Sequence, residues 1–185
     1  MRCKFVFAGI IILLFLNGCK EEVLPKPKAQ LRLEYPKGET KVVQTENYSF
    51  QYNSLATVED IKRSSFTLNY PSIKGAVYLT YKPVENNLND LLSDAQRLSY
   101  EHVAKADNIL EQKYINEDTR VFGMFYEVKG NAASQAQFYA TDSTEHFLTG
   151  SLYFYAKPNY DSIYPAAAYI QNDVRRILET LKWQE

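Results

Sequence analysis

The chain has 185 residues, of which 14% are aromatic, and its 21 basic and 22 acidic side chains give a formal net charge of −1. This balance excludes the strongly basic surface by which proteins bind nucleic acid, and the length suits one domain once a leader is removed. The two cysteines are Cys3 and Cys19. The remaining residues therefore offer no thiol for a disulfide, a nucleophile or a zinc site.

The first 19 residues have the pattern of a bacterial lipoprotein signal. A basic start is followed by an apolar run over 5–16, and a glycine stands directly before Cys19. As a helix this run spans roughly 18 Å, too short for the ~30 Å hydrocarbon layer, so we predict a signal peptide over 1–18. Cleavage leaves Cys19 first, where its thiol can take a diacylglyceryl group. With a further acyl chain such as palmitate on the freed amine, the anchor is stable.

Residues 19–29 alternate charge with proline, which predicts an extended, lipid-anchored tether. The Lys-Glu-Glu directly after Cys19 resembles a short signal that sends some lipoproteins to the outer face of the outer membrane. It is equally compatible with a solvated spacer, and both alternatives stay open. We therefore expect a membrane-anchored protein of the cell envelope, with the outer membrane favoured.

Residues 30–185 are predicted to form a single α+β domain. Apolar residues at helical spacing predict amphipathic helices over 88–106 and 162–181, and period-two alternation predicts strands before the first helix and between the two. The strand patterns are Leu31/Leu33, Tyr48/Phe50/Tyr52, Phe66/Leu68/Tyr70, Val77/Leu79/Tyr81, 109–115, 120–129, 134–141 and 146–156. Both faces of 120–129 are apolar, so we expect a largely antiparallel sheet sandwiched by the two helices. This order of elements is similar to the PsbP/Mog1-like arrangement.

Two tyrosines on the predicted helices are candidate partner contacts. Tyr100 and Tyr169 are expected on the outer faces, where core packing does not explain an aromatic ring. On the same helices we expect Leu98 in the buried stripe and Gln171 in water. Pro165 is expected in the first turn of the second helix.

The segment 142–146 contains the residue types of a hydrolytic triad in Asp142, Ser143 and His146. Such triads usually draw their members from separate elements, whereas Asp-Ser after a strand commonly forms a local side-chain to backbone turn. We favour the local turn.

His102 is interpreted as a buried imidazole in the stripe of the first helix. With two histidines on separate elements we expect no metal and no cofactor.

The segment 130–134 lacks the glycines and lysine of a phosphate loop, so it is expected to be a hairpin turn.

Long collinear stretches resemble the gliding motility lipoprotein GldD family. They are EEVLPKPKAQLRLEYP, DAQRLSYEHVAKAD and FGMFYEVKGNAASQAQFYATDSTEHFLTGSLYFYAKPNYDSIYPAAAYIQNDVRRILETLKW. The resemblance implies an envelope lipoprotein needed for gliding over surfaces, in a family linked to the machinery that secretes adhesins. It implies no known reaction.

The resemblance also gives 130–134 and 141–147 a partner-contact role, through Asn131, Ser134, Asp142 and His146. We expect these segments at neighbouring hairpin ends. The favoured hypothesis is a non-enzymatic, lipid-anchored accessory protein that binds other gliding and secretion proteins of the envelope, with no small-molecule substrate identified. The alternatives are an envelope hydrolase using Ser143 and His146, and a glycan or peptidoglycan-binding module whose tyrosines stack on sugar rings.

Overall fold

The computed structural model describes residues 36–101, 104–156 and 159–184, which form ten strands and two helices. The strands are β1 (Thr40–Gln44), β2 (Tyr48–Asn53), β3 (Thr57–Lys62), β4 (Ser65–Tyr70), β5 (Gly75–Pro83), β6 (Ala106–Asn116), β7 (Val121–Gly130), β8 (Ser134–Thr141), β9 (His146–Phe154) and β10 (Lys182–Trp183). The helices are α1 (Leu88–Tyr100) and α2 (Tyr160–Thr180). The predicted leader, the tether with Cys19, the strand pattern at 31–33 and His102 lie outside the described residues.

Seven strands form one sheet in the order β3-β4-β5-β9-β8-β7-β6, and each neighbouring pair is antiparallel. A second sheet has the order β1-β2-β10 and is also antiparallel. The predicted α+β class with a largely antiparallel sheet is confirmed. The likeness to the PsbP/Mog1 arrangement stays a prediction.

The two helices lie on opposite faces of the seven-stranded sheet. Tyr139 of β8 packs with Leu91 and Ala95 of α1, whereas Phe125 of β7 lies under the guanidinium of Arg175 on α2, 4.6 Å from the ring centre. Successive side chains of a strand point to opposite faces, and residues of both parities are buried in β7 and β8, so both faces of the sheet are covered there. The predicted helix–sheet–helix sandwich is confirmed.

The main core lies on the α2 face, where the small sheet folds over the large one. Tyr48 and Phe50 of β2 stack with Phe66 of β4, and the Phe50 and Phe66 ring centres lie 5.9 Å apart. The aliphatic part of this core comes from both helix and strands: Leu68, Val77, Leu79, Leu148, Leu152, Ile170, Val174, Ile177 and Leu178. Removing this apolar surface from water is the main favourable contribution to folding.

The first strand, β1, lies largely outside this core. Its residues are exposed apart from the half-buried Val43. On the side of α2, the Arg176 guanidinium donates to Thr40 Oγ1 at 3.2 Å.

No helix of the described residues is long and apolar enough to cross a bilayer.

The first helix is shorter than predicted, because α1 ends at Tyr100 and Ala106 belongs to β6. The stripe that contacts the sheet is also narrower, since Leu91, Ala95 and Ser99 follow one another at four-residue spacing. The prediction that Leu98 is buried was wrong: 48% of the residue is exposed. Ser99 is buried instead, and its hydroxyl lies 2.9 Å from Gln137 Oε1 on β8.

The second helix buries a wider surface than predicted. Gln171 is buried rather than exposed, and its Nε2 donates to the Gln135 carbonyl at 3.0 Å. The reason is that α2 contacts β2 of the small sheet as well as β7 and β8 of the large one. The helix begins at Tyr160, so Pro165 lies inside it and beyond the first turn.

Candidate functional site

The β8–β9 turn is organised by the side chain of Asp142. Its Oδ1 accepts the backbone N–H groups of Thr144, Glu145 and His146 at 3.0, 2.9 and 2.8 Å, and Oδ2 accepts the Thr144 hydroxyl at 2.7 Å. A carboxylate that follows a strand can satisfy backbone donors that no strand partner reaches. The local side-chain to backbone turn predicted for this segment is therefore confirmed.

These hydrogen bonds also determine the ionisation of Asp142. Burial alone raises the pKa of the carboxyl group, but the donors from His146, Glu145 and Thr144 outweigh it. The resulting pKa is about 2, compared with an ordinary value of 3.8. Donors to the charged form favour it, so the carboxylate stabilises the turn at neutral pH.

Asp142→Ala is expected to lower the free energy of unfolding by about 1–2 kcal/mol at pH 7, because three backbone donors lose their acceptor. Since the folded pKa lies below the unfolded value, this stabilisation is present above about pH 4 and is lost as the pH falls toward 2. Urea unfolding at pH 7 and pH 2.5 measures the difference.

The matched control is Ser143→Ala in the same turn, which removes an exposed hydroxyl and is expected to change stability by less than about 0.5 kcal/mol. Equal stability of the two variants at pH 7 would contradict the role assigned to the Asp142 carboxylate.

Next to this turn, His146 lies in an aromatic cluster that joins the two sheets. Its ring stacks on Trp183 of β10, with ring centres 5.1 Å apart and planes at 8°, and its Nδ1 lies 2.8 Å from the Tyr81 hydroxyl. Tyr48 of β2 completes the cluster, 5.8 Å from the Tyr81 ring centre. Burial, followed by the charges of Asp142 and Glu145, raises the pKa of Tyr81, so its hydroxyl is a neutral phenol.

The three residues of the suggested triad do not form a chain of hydrogen bonds within the described ranges. The Asp142 carboxylate accepts backbone groups, and the His146 ring contacts Tyr81 and Trp183. Ser143 is exposed at φ 70°, and its backbone N–H donates to Thr141 Oγ1 at 3.0 Å. The nucleophile–base–acid geometry that hydrolysis by a triad requires is thus not assembled in this arrangement.

A cleft of about 520 Å³ opens beside this cluster. It is lined by side chains of both charges and by one large aromatic ring: Asp118, Arg120, Glu145, Lys182 and Trp183, together with Thr119, Asp142, Thr144, His146 and Gln184. The Arg120 guanidinium donates to the Asp142 carbonyl at 3.3 Å and to Thr144 Oγ1 at 3.2 Å, and the Arg120 carbonyl accepts Trp183 Nε1–H at 3.1 Å. In the described part of the chain no group of three His, Cys, Asp or Glu side chains could hold a metal ion.

Sequence reasoning missed Arg120, Trp183 and Tyr81 as members of this site. Arg120 adopts φ 51°, a left-handed backbone conformation that is uncommon for residues other than glycine and that the sequence does not reveal. The only tryptophan of the chain, near its C-terminus, was the available signal. Its partner His146 lies far away in sequence, so the contact depends on how the two sheets pack.

The two predicted contact segments do not lie at neighbouring hairpin ends, and that expectation was wrong. Residues 130–134 precede β8 and residues 141–147 follow it, so the two turns lie at opposite ends of the same strand. In the first of them, Asn131 is exposed and its Oδ1 accepts the Tyr160 N–H at the start of α2 at 2.9 Å. Ser134 is fully buried, and its hydroxyl donates to the Ala136 carbonyl at 3.0 Å.

The two tyrosines proposed as contacts differ in exposure. Tyr100 is 49% exposed, and its hydroxyl donates to Glu111 on β6. Tyr169 does not lie on an outer face as expected. It is half-buried against the main core, accepts Asn53 Nδ2–H at 2.7 Å and donates to the Pro36 carbonyl at 2.8 Å.

A comparison with protein families agrees with the resemblance seen in the sequence. The family model described as gliding motility lipoprotein GldD matches residues 20–183, which include every described strand and helix. A search of curated proteins finds no match. Membership of a lipoprotein family implies a membrane-anchored protein of the cell envelope. Because the match covers most of its length, the chain belongs to the gliding motility lipoprotein GldD family.

Proposed function

We propose that the protein is a lipid-anchored accessory protein of gliding motility that works by binding other envelope proteins, including those of the associated secretion machinery, and that it catalyses no reaction. The observation that supports this is the family match over residues 20–183. That match spans the whole folded domain, so the shared feature is the domain and not only a lipoprotein signal. The outer membrane is the favoured location.

The proposed mechanism depends on the anchor. Two or more acyl chains hold a protein stably at a membrane, and confinement there raises its effective concentration toward partners in the same envelope. Contacts that are weak in free solution are then sufficient to keep an assembly together.

The proposed contact surface is the cleft between Arg120 and Trp183. Its rim carries the exposed side chains of Glu145 and Lys182, while its floor is the stack of the buried His146 ring on the half-buried Trp183 ring. A polar, mixed-charge rim around an aromatic centre is the usual composition of a non-obligate protein interface. In this role Asp142 and His146 shape the surface, and the rim residues touch the partner.

The test is a double charge reversal, Glu145→Lys with Lys182→Glu, in the full chain. Neither side chain has a hydrogen bond or ion pair within the described ranges, so the fold is expected to persist. Because complementary charges select partners, we expect roughly a tenfold loss of partner recovered after in-cell crosslinking, together with a loss of gliding.

The matched control is Lys105→Glu, which reverses an exposed charge at the opposite end of the sheet. It is expected to leave gliding and partner recovery unchanged. Normal gliding of the double variant, at a normal amount in the membrane, would exclude this cleft as the contact surface.

A further inference from the structure

Strand β6 is an edge of the seven-stranded sheet, and it has few of the features that normally prevent edge-to-edge pairing. It pairs with β7 from Asn108 to Asn116 on one side, and no described strand pairs with its other side. It is 11 residues long and contains no proline. The opposite edge, β3, has six residues and an irregular register around Asp60, whose φ is 56°. Irregularity and short length protect β3, whereas the register shift of β6 lies at its start, between Ala106 and Asn108, and leaves the nine residues from Asn108 regular.

The side chains of β6 make this open edge partly apolar. Ile115 is 51% exposed and Leu110 is 37% exposed. Residues of odd number from 109 to 115 lie on the face that carries α1, because Glu111 accepts a hydrogen bond from Tyr100 of that helix. Residues of even number lie on the other face. In the described ranges no carboxylate pairs with Lys113.

We propose that β6 pairs antiparallel with β6 of a second copy of this chain, about a two-fold axis at Gln112. This axis places residue 112 + n of one copy opposite residue 112 − n of the other. Glu111 then faces Lys113, Ile109 faces Ile115 and Leu110 faces Tyr114, each pair occurring twice. Opposite charges and apolar pairs directly across an antiparallel ladder are the stabilising combinations. A two-fold interface must be self-complementary in this way.

The charges distinguish this register from its neighbours. An axis at Glu111 or at Lys113 places two like charges directly opposite one another, which destabilises the ladder. An axis between two residues would oppose side chains that point to different faces of the sheet, which a continuous sheet does not permit. An axis at Gln112 keeps the free N–H and C=O groups of the two edges facing each other.

The pairing would extend the sheet from seven to fourteen strands with both α1 helices on one face. A ladder of nine residues is a small interface, so the dimer is expected to be weak in dilute solution. Confinement of both copies to one membrane raises their effective concentration, a step that rests on the proposed anchoring. The strand pairing itself does not depend on the identity of other partners.

The experiment places a single cysteine at the axis of the full chain in its native envelope. Gln112→Cys brings two thiols together across the axis, and mild oxidation is expected to give a disulfide-linked species of twice the mass on a non-reducing gel. Asn108→Cys is the matched control on the same strand and of the same parity. Its two copies lie roughly 26 Å apart in the proposed register, so it is expected to crosslink at most one-tenth as much.

Charge variants in the Gln112→Cys background test the register. Lys113→Glu replaces two favourable pairs with two repulsive ones and is expected to reduce the dimer at least tenfold, and Glu111→Lys is expected to do the same. The double variant, Glu111→Lys with Lys113→Glu, restores opposite charges and is expected to restore the dimer.

Equal crosslinking at positions 108 and 112, or a crosslinked product whose mass differs from two copies, would overturn the proposal. A double variant that stays as monomeric as the single ones would also overturn it. Gliding and partner recovery of the Glu145→Lys, Lys182→Glu variant test the proposed cleft. Crosslinking at position 112 tests the strand pairing, so the two proposals can fail independently.

Discussion

Cys19→Ser is expected to move the protein from the membrane fraction to the soluble envelope fraction and to abolish gliding. A serine hydroxyl does not form the thioether that carries the diacylglyceryl group, so the processed chain lacks its acyl chains. Stable attachment needs two such chains or an equivalent second signal, and a chain without them has little affinity for a bilayer. Membrane fractionation, mass spectrometry of the mature amino terminus and a gliding assay measure the three consequences.

The matched control is Cys3→Ser, which removes the other thiol of the chain from the predicted leader. It is expected to leave lipidation, membrane attachment and gliding intact. Full gliding by a soluble Cys19→Ser protein would show that anchoring is not part of the mechanism.

Gly123→Ala is expected to lower the free energy of unfolding by about 2–3 kcal/mol. Gly123 lies in β7, and a Cβ at this position would collide with the backbone carbonyl oxygen of Tyr139 and lie 3.3 Å from the Cα of Ala140 on β8. Backbone atoms of a central strand cannot move without disturbing the ladder, so the strain has no local relief. Thermal or urea unfolding monitored by tyrosine fluorescence measures the loss.

Gly150→Ala provides the comparison, because the atoms that its Cβ would meet belong to the Phe138 ring. It is also expected to destabilise the fold, but the double variant Gly150→Ala with Phe138→Leu removes the nearest ring atoms and should recover part of the loss. No side-chain change is expected to rescue Gly123→Ala. Rescue of Gly123→Ala by Phe138→Leu would mean that the backbone contact is not the cause.

Strands whose side chains alternate strictly were predictable from sequence. Tyr48/Phe50/Tyr52 and Phe66/Leu68/Tyr70 each bury one face, and that pattern is visible without a structure. β3 is exposed at five of its six residues, so its sequence carries no apolar signal. Which strands share a sheet was not predictable either. β2 pairs with β1 and β10 in a separate sheet, although its alternation is like that of the strands in the large sheet.

In the candidate site, likewise, the local contacts were predictable from sequence and the long-range contacts were not. The turn built by Asp142 is local, so neighbouring residues were sufficient to predict it. The contact between His146 and Trp183 joins β9 to the last strand of the small sheet, and nothing in either segment specifies it. Likewise Gln171 is buried because α2 lies between two sheets, an arrangement that a helical periodicity analysis does not contain.

The position of β1 has a mechanical consequence for a member of a gliding motility family. Tension applied ahead of Pro36 would reach the Tyr169–Pro36 and Arg176–Thr40 hydrogen bonds first, and then the five residue pairs between β1 and β2. Because β1 buries little apolar surface, it can separate from β2 and pair with it again. During this local unfolding β2 stays in place through its contacts with α2 and β10. The first strand can therefore extend under tension while the main core stays folded.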